Sequence, residues 1–279
     1  MSKGCVMKPL MKLFYCAAML ALCAVAAAED SGERTTASFT DPSRPGLLHI
    51  GLIQGNIIVK GDDRRDVSME TRSSRVGVLS RAPEEPAGMR RLPQQPSITV
   101  AEQNNQMSIS SPNVNSTVDL QIQVPKRTNL QLSTVNDGDI RVEGVDGELE
   151  IGSVNGSITL SGVGGSVVAH TVNGKITATV LRVSPEKPMA FTCLNGTVDV
   201  TLPASTRANL KLRSDNGSVY TDFVLGTLMQ PSAAVEATRG SGGRYRVEVN
   251  QAIYGGLNGG GPEIELRTFN GDVYVRKGN

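Results

Sequence analysis

Residues 149–160 read Leu-Glu-Ile-Gly-Ser-Val-Asn-Gly-Ser-Ile-Thr-Leu, and residues 167–178 read Val-Val-Ala-His-Thr-Val-Asn-Gly-Lys-Ile-Thr-Ala. Both lines follow one pattern. Three residues two apart, apolar and then hydroxyl, lead to Val-Asn-Gly, and the alternation resumes at an isoleucine. A period of two marks a strand with one buried face. Asn-Gly supplies a turn, because both residues tolerate positive φ. Each line is therefore a strand, a turn and a second strand, with Leu149, Ile151, Ile158 and Leu160 facing one interior.

The phrase recurs on both sides. Leu130, Leu132 and Thr134 lead to Val135-Asn136-Asp137-Gly138, then Ile140 and Val142. Met189, Phe191 and Cys193 lead to Leu194-Asn195-Gly196, then Val198 and Val200. Leu210, Leu212 and Ser214 lead to Asp215-Asn216-Gly217, and Ile264, Leu266 and Thr268 lead to Phe269-Asn270-Gly271. A weak copy opens the domain with Leu48, Ile50, Leu52, Ile53-Gln54-Gly55, Ile57 and Val59. The turn glycines 138, 156 and 174 stand 18 residues apart, with 22 more to Gly196 and 21 to Gly217. Near-constant spacing suits stacked coils that expel insertions at their corners. The expected fold is all-β: a β-solenoid, right-handed β-helix-like, of repeated strand–Asn-Gly–strand coils.

Coils stacked in register create two columns. Thr134, Ser153, Thr171, Cys193, Ser214 and Thr268 form one of small polar side chains. Asn136, Asn155, Asn173, Asn195, Asn216 and Asn270 form a structural turn column whose amides can hydrogen-bond along the axis. The rival arrangement is a meander of hairpins, since Asn-Gly is also the best two-residue hairpin turn. Recurrence of the same residue types at matching offsets favours the coils.

The Thr171-Val-Asn-Gly-Lys-Ile176 phrase sits between Gly-Val-x-Gly corners such as Gly144-Val145-Asp146-Gly147. With the ending Gly259-Gly260-Gly261-Pro262-Glu263-Ile264, the closing Thr268-Phe269-Asn270-Gly271-Asp272-Val273 and the earlier Met89-Arg90-Arg91-Leu92-Pro93, it resembles the bacterial putative adhesin family, β-strand-repeat domains of unknown function. The resemblance covers roughly residues 46–279. It implies an extracytoplasmic, solenoid-like all-β domain with no established catalytic residues.

The chain opens with Lys3, Lys8 and Lys12, an apolar run from Leu13 to Ala27, and Ala26-Ala27-Ala28 before Glu29. This is the pattern of a secretory signal peptide over residues 1–28; the run is short and ends in small residues, unlike a membrane anchor. Tyr15 before Cys16 and Leu22 before Cys23 do not match a lipoprotein signal. Residues 29–45 read as a polar tether. The β domain spans 46–279, with 61–126 as an irregular strand/loop insertion. There Val67–Thr71, Ile98–Val100, Met107–Ser110 and Val118–Val124 read as strands. Ser80–Pro96, with prolines at 83, 86, 93 and 96, reads as a surface loop. Leu225–Gly243 is a second insertion, and Arg244–Val249 resumes as a strand. The expected location is exported: periplasmic, outer surface or secreted.

The chain holds 28 basic and 27 acidic residues; without the three signal lysines the counts are 25 and 27, a net charge of −2. That is too small a charge for a nucleic-acid partner. Cys193 alone of four cysteines follows the signal, so no internal disulfide can form. His49 and His170 fall on the outward parity, without other ligands at zinc spacing. Asp139, Asp199 and Asp272 follow turns and are the one candidate for paired carboxylates of a polysaccharide-active enzyme. Asn136-Asp137-Gly138-Asp139 is the candidate calcium turn. Neither forms a catalytic, cofactor-binding or metal constellation from sequence alone, so none is assigned. With no Trp and few aromatics, no carbohydrate-stacking platform is evident. The reading is a non-catalytic, exported binding or scaffold domain whose partner is an envelope or surface protein or a polysaccharide. The alternatives are a periplasmic component of envelope-stress signalling that binds a membrane partner, and a polysaccharide-active β-helix enzyme.

Overall fold

Alternation of apolar and polar residues produces strands throughout the computed structural model, which describes residues 33–75, 98–111, 116–227, 236–239, 245–248 and 252–278. The first seven strands are Glu33–Ser38 (β1), Leu47–Gln54 (β2), Ile57–Asp62 (β3), Asp66–Arg75 (β4), Thr99–Gln103 (β5), Gln106–Ser110 (β6) and Ser116–Pro125 (β7). The repeated phrase then supplies Asn129–Asn136 (β8), Ile140–Glu143 (β9), Asp146–Asn155 (β10), Ile158–Asn173 (β11), Ile176–Val183 (β12), Met189–Asn195 (β13), Val198–Pro203 (β14), Ala208–Asn216 (β15) and Val219–Thr221 (β16). The chain closes with Gly226–Thr227 (β17), Glu236–Arg239 (β18), Tyr245–Glu248 (β19), Ile253–Leu257 (β20), Glu263–Asn270 (β21) and Val273–Gly278 (β22). No helix occurs among the described residues. Twenty of these strands belong to one curled sheet, and β18 and β19 pair separately.

Successive copies of the phrase pair in parallel, residue for residue, which overturns the hairpin meander. Leu149 faces Leu130 on one side and Val167 on the other. Ile158 lies between Ile140 and Ile176. Strands before the turn form one ladder in the order β6, β2, β8, β10, the second half of β11, β13, β21 and β15. Strands after the turn form the other: β7, β3, β9, the first half of β11, β12, β14, β22 and β16. The inward residues of both ladders fill one core, in which Ile50, Ile57, Ile140, Ile151, Ile158, Phe191 and Leu266 have essentially no exposure.

The order of coils departs from the order of the chain at both ends. The first coil, β2–β3, lies between β6–β7 and β8–β9. The last, β21–β22, is inserted between β13–β14 and β15–β16. An end coil carries unpaired backbone groups on its outer edge. Antiparallel strands cover most of these: β5 on β6, β4 on β7, β1 on β4, β20 on β15 and β17 on β20.

Two segments differ from the sequence expectation. Part of the polar tether is strand β1, which pairs with β4 from Glu33↔Thr71 to Ser38↔Asp66. It is fixed because Phe39 is buried against Gly46 and Thr40 donates both its amide and its hydroxyl to Glu102. Those bonds hold the Glu102 carboxyl below the usual range. The irregular insertion 61–126 contains a coil of the stack, since β6 and β7 extend the two parallel ladders. The Ser80–Pro96 loop lies outside the described residues, as does most of Leu225–Gly243.

The turn glycines answer to packing more than to dihedral angle. Gly174 and Gly196 do have positive φ, 155° and 148°, but Gly156 does not, and no asparagine of the turn column does. All approach the neighbouring coil closely. A Cβ on Gly156 would sit 2.1 Å from the Gly138 carbonyl oxygen, and one on Gly196 would sit 1.9 Å from that of Gly174. Backbone lies directly on backbone there, leaving no room for a side chain.

Candidate functional site along the turn edge

Close stacking at the glycines turns their carbonyls toward the next coil, and the residue three before each glycine, or four before Gly138, meets them. Thr171 donates to the Gly156 oxygen at 2.9 Å, Thr268 to Gly196 at 2.8 Å and Ser214 to Gly271 at 2.7 Å. Thr134 approaches Gly55 at 3.5 Å. Cys193 fills the same offset, with its Sγ 3.2 Å from the Gly174 oxygen. Burial pushes this thiol up, which makes it a poor nucleophile. Ser153 is buried in the same column, and its hydroxyl has no protein partner among the described residues.

The asparagines stand on the outside of the same turn. Asn173 donates to Asn155 at 2.8 Å, Asn195 to Asn173 at 2.8 Å, Asn270 to Asn195 at 2.7 Å and Asn216 to Asn270 at 3.0 Å. The ladder thus runs 155, 173, 195, 270, 216, following the exchanged order of coils. Asn136 sits in register with Gln54. Asn155 and Asn136 are partly buried, whereas Asn173, Asn195, Asn216 and Asn270 are exposed.

The acids that follow the turns are held by the backbone and by cations. Asp119 accepts the Asn56 amide at 2.8 Å, Asn56 accepts that of Asp139 at 2.9 Å, and Asp139 accepts that of Ser157 at 2.8 Å. Asp272 accepts the Ser218 amide at 2.8 Å. Asp199 lies in an ion pair with Arg276 at 2.8 Å. The geometry thus ties Asp139, Asp199 and Asp272 to three separate partners. Among the described residues no three His, Cys, Asp or Glu side chains converge as metal ligands. His49 and His170 are exposed; His49 contacts Gln131 at 3.1 Å, and His170 covers Gly152.

The outermost feature of this edge is apolar. Ile53, Val135, Val154, Val172, Leu194 and Phe269 occupy one offset on successive coils, each 36 to 45 % exposed. With strands about 4.8 Å apart, the row is about 24 Å long. It ends where Asp215 takes the offset, held by Arg213 at 2.6 Å and Arg267 at 3.6 Å. The signal for this row was present in the sequence. Alternation carries through Thr134 and its equivalents as inward residues, so the residue before each turn asparagine, or before Gln54 in the first coil, has outward parity, yet it is Val, Leu, Ile or Phe everywhere but at Asp215.

No helix among the described residues is long and apolar enough to cross a membrane. No curated protein matches the chain. A putative cell adhesion protein from Clostridium sporogenes ATCC 15579 is similar in structure, with TM-score 0.44 and 13 % identity over 88 % of this chain and 100 % of that one. A putative adhesin from Bacteroides fragilis NCTC 9343 gives TM-score 0.39 and 11 % identity over 88 % and 97 %. The family described as Toastrack DUF4097 matches residues 65–276, which takes in all the coils from β6–β7 onward, although β2 and β3 are built into the same ladders. The chain belongs to the Toastrack DUF4097 family.

Proposed function

We propose that this chain is an exported, non-catalytic β-solenoid that serves as an adhesin-type binding or scaffold domain of the cell envelope or surface. Its coils wind in the right-handed sense that parallel β connections favour. Export rests on the lysine-led apolar run and the Ala26-Ala27-Ala28 site. The observation that carries the binding role is the exposed row from Ile53 to Phe269. Monomeric proteins seldom leave contiguous apolar surface uncovered unless something docks there. Six coils contribute equivalent residues, which suits an extended contact with a protein partner. Catalysis needs a local asymmetry of acid and base. The turn acids instead have separate structural partners.

The test uses the exported chain and a Val154→Lys, Val172→Lys double variant in crosslinked capture from an envelope fraction. Both positions are exposed, so thermal melts of the two proteins are expected to agree. Wild type should retain a partner that the variant loses. Equal capture by both, or capture by neither, removes the row as the binding face.

A further inference from the structure

Asparagine is among the chemically labile side chains, and it is most labile before glycine. Glycine has no Cβ to keep its own amide nitrogen away from the asparagine Cγ. Asn-Gly occurs here at Asn155, Asn173, Asn195, Asn216, Asn258 and Asn270. All but Asn258 belong to the turn column, where the sequence makes them equivalent. The stack makes them unequal.

The glycine amides of the inner turns are all engaged. Gly156 donates to the Asn173 carbonyl at 2.9 Å, Gly174 to Asn195 at 3.1 Å, Gly196 to Asn270 at 2.8 Å and Gly271 to Asn216 at 3.0 Å. Each of these bonds runs to the next coil. Gly217 stands in β15–β16, beyond which no further coil lies among the described residues. Strand β20 pairs with β15 only from Ala208 to Leu212, short of the turn. Among the described residues the Gly217 amide therefore has no acceptor. The side-chain ladder ends in the same way. Asn155, Asn173, Asn195 and Asn270 each accept at Oδ1 from the next asparagine. Asn216 donates to Asn270, and its own Oδ1 accepts nothing among the described residues. Gly217 is exposed, whereas Gly156, Gly174, Gly196 and Gly271 are half-buried. Asn258, outside the column, has its carboxamide held by the carbonyls of Ala204 and Thr206 at 3.1 and 2.8 Å.

Attack of the glycine nitrogen on Cγ needs a free amide and a carboxamide that can turn. At the inner turns a backbone bond and side-chain bonds must open first; at the last turn one side-chain bond must. We propose that Asn216 is a built-in site of spontaneous deamidation. The Gly217 nitrogen gives its proton to water and bonds to Asn216 Cγ. The Cγ–Nδ2 bond breaks, and Nδ2 takes up a proton and leaves as ammonia. Water then opens the cyclic imide at either carbonyl, giving aspartate or isoaspartate. Aspartate sets a carboxylate oxygen against the Asn270 Oδ1, acceptor facing acceptor, so the last rung is lost. Isoaspartate lengthens the main chain of the turn by a methylene. Either product adds negative charge beside Asp215, on the coil that ends the stack.

The test holds the purified wild-type protein in a mildly alkaline buffer, folded in one arm and in concentrated urea in the other. Digestion and mass spectrometry over time read amide-to-acid exchange at each Asn-Gly. In the folded protein Asn216 should convert about tenfold or more faster than Asn155, Asn173, Asn195 and Asn270, and ahead of Asn258. In urea the rates should draw together. Amide hydrogen exchange gives a second readout that needs no variant: Gly217 should exchange fastest of the turn glycines. Conversion led by any other Asn-Gly in the folded protein, or a Gly217 amide as protected as that of Gly174, would overturn the proposal. So would a lead for Asn216 that persists in urea, since the cause would then lie in the flanking sequence.

Discussion

The inward hydroxyl column and the outward asparagine column run along the same turns, repeat with the same regularity and both form ladders of hydrogen bonds. They differ in solvent. Thr171 and Thr268 are buried, and their hydroxyls meet the carbonyls of half-buried glycines pressed against the next coil. Asn173 and Asn195 are exposed, and water competes for each amide. A buried group left without its partner loses its desolvation energy, whereas an exposed one is rehydrated. Repetition in a sequence therefore reports that coils are in register. It does not report how much any one column contributes to stability.

The glycine between the two columns sets the largest effect. Gly156→Ala tests whether the turn is governed by dihedral angle or by contact. Gly156 has no positive φ, so a purely conformational account expects little change. The contact account expects a Cβ 2.1 Å from a backbone oxygen that cannot move without shifting the next coil. The expected loss is about 4 kcal/mol or more in a denaturant titration, beyond the usual range for a point substitution. A loss near the small helix-free penalty of a Gly-to-Ala exchange would return the turn to the conformational account.

Ile158→Ala comes next. Its side chain is fully buried between Ile140 and Ile176, and truncation should cost about 3 kcal/mol through lost burial and a cavity. Ser157, one residue earlier, has opposite parity and accepts the Lys175 amide only at 3.4 Å. Ser157→Ala should cost less than about 1 kcal/mol. Equal losses at the two positions would show that the parity assigned to this strand is wrong.

Parity, columns and core were legible because a period of two and a constant turn offset leave no choice about which face is buried. The order of the coils was not legible, for the same reason. Coils that carry the same residue types at the same offsets fit the same slots, so the pattern at Ile264, Leu266 and Thr268 says that β21 joins the stack but not that it enters between β13 and β15. That placement is a matter of long-range pairing and is visible only in the folded chain. It is also why Asn195 and Asn270, 75 residues apart, could not be seen as neighbours in the sequence. Strand β1 carries no such pattern: Arg34, Thr35 and Thr36 show no apolar alternation, and the segment is held by backbone pairing to β4. The exposed row before the asparagines was legible by parity and required only that the outward residues be read as closely as the inward ones.

The two columns can be compared directly with one substitution in each. Thr171→Val keeps the shape of the side chain, removes the hydroxyl and leaves the half-buried Gly156 oxygen without that donor. The expected loss is about 1–2 kcal/mol. Asn173→Ala removes two rungs of the outer ladder at once, since Asn173 donates to Asn155 and accepts from Asn195. By count of bonds it should be the more damaging change. By environment it should be the milder one, because Asn173 is exposed and its neighbours regain water when it goes. The turn itself is held by Gly174, whose amide donates to the Asn195 carbonyl at 3.1 Å whatever side chain stands at 173. Asn173→Ala should therefore cost less than about 1 kcal/mol, below Thr171→Val measured under the same conditions. Asn155, the partly buried member of the bonded ladder, should be the more sensitive of the two asparagines. If Asn173→Ala proves costlier than Thr171→Val, the outer ladder acts cooperatively along the stack rather than as separate solvated bonds, and the inward column loses its priority.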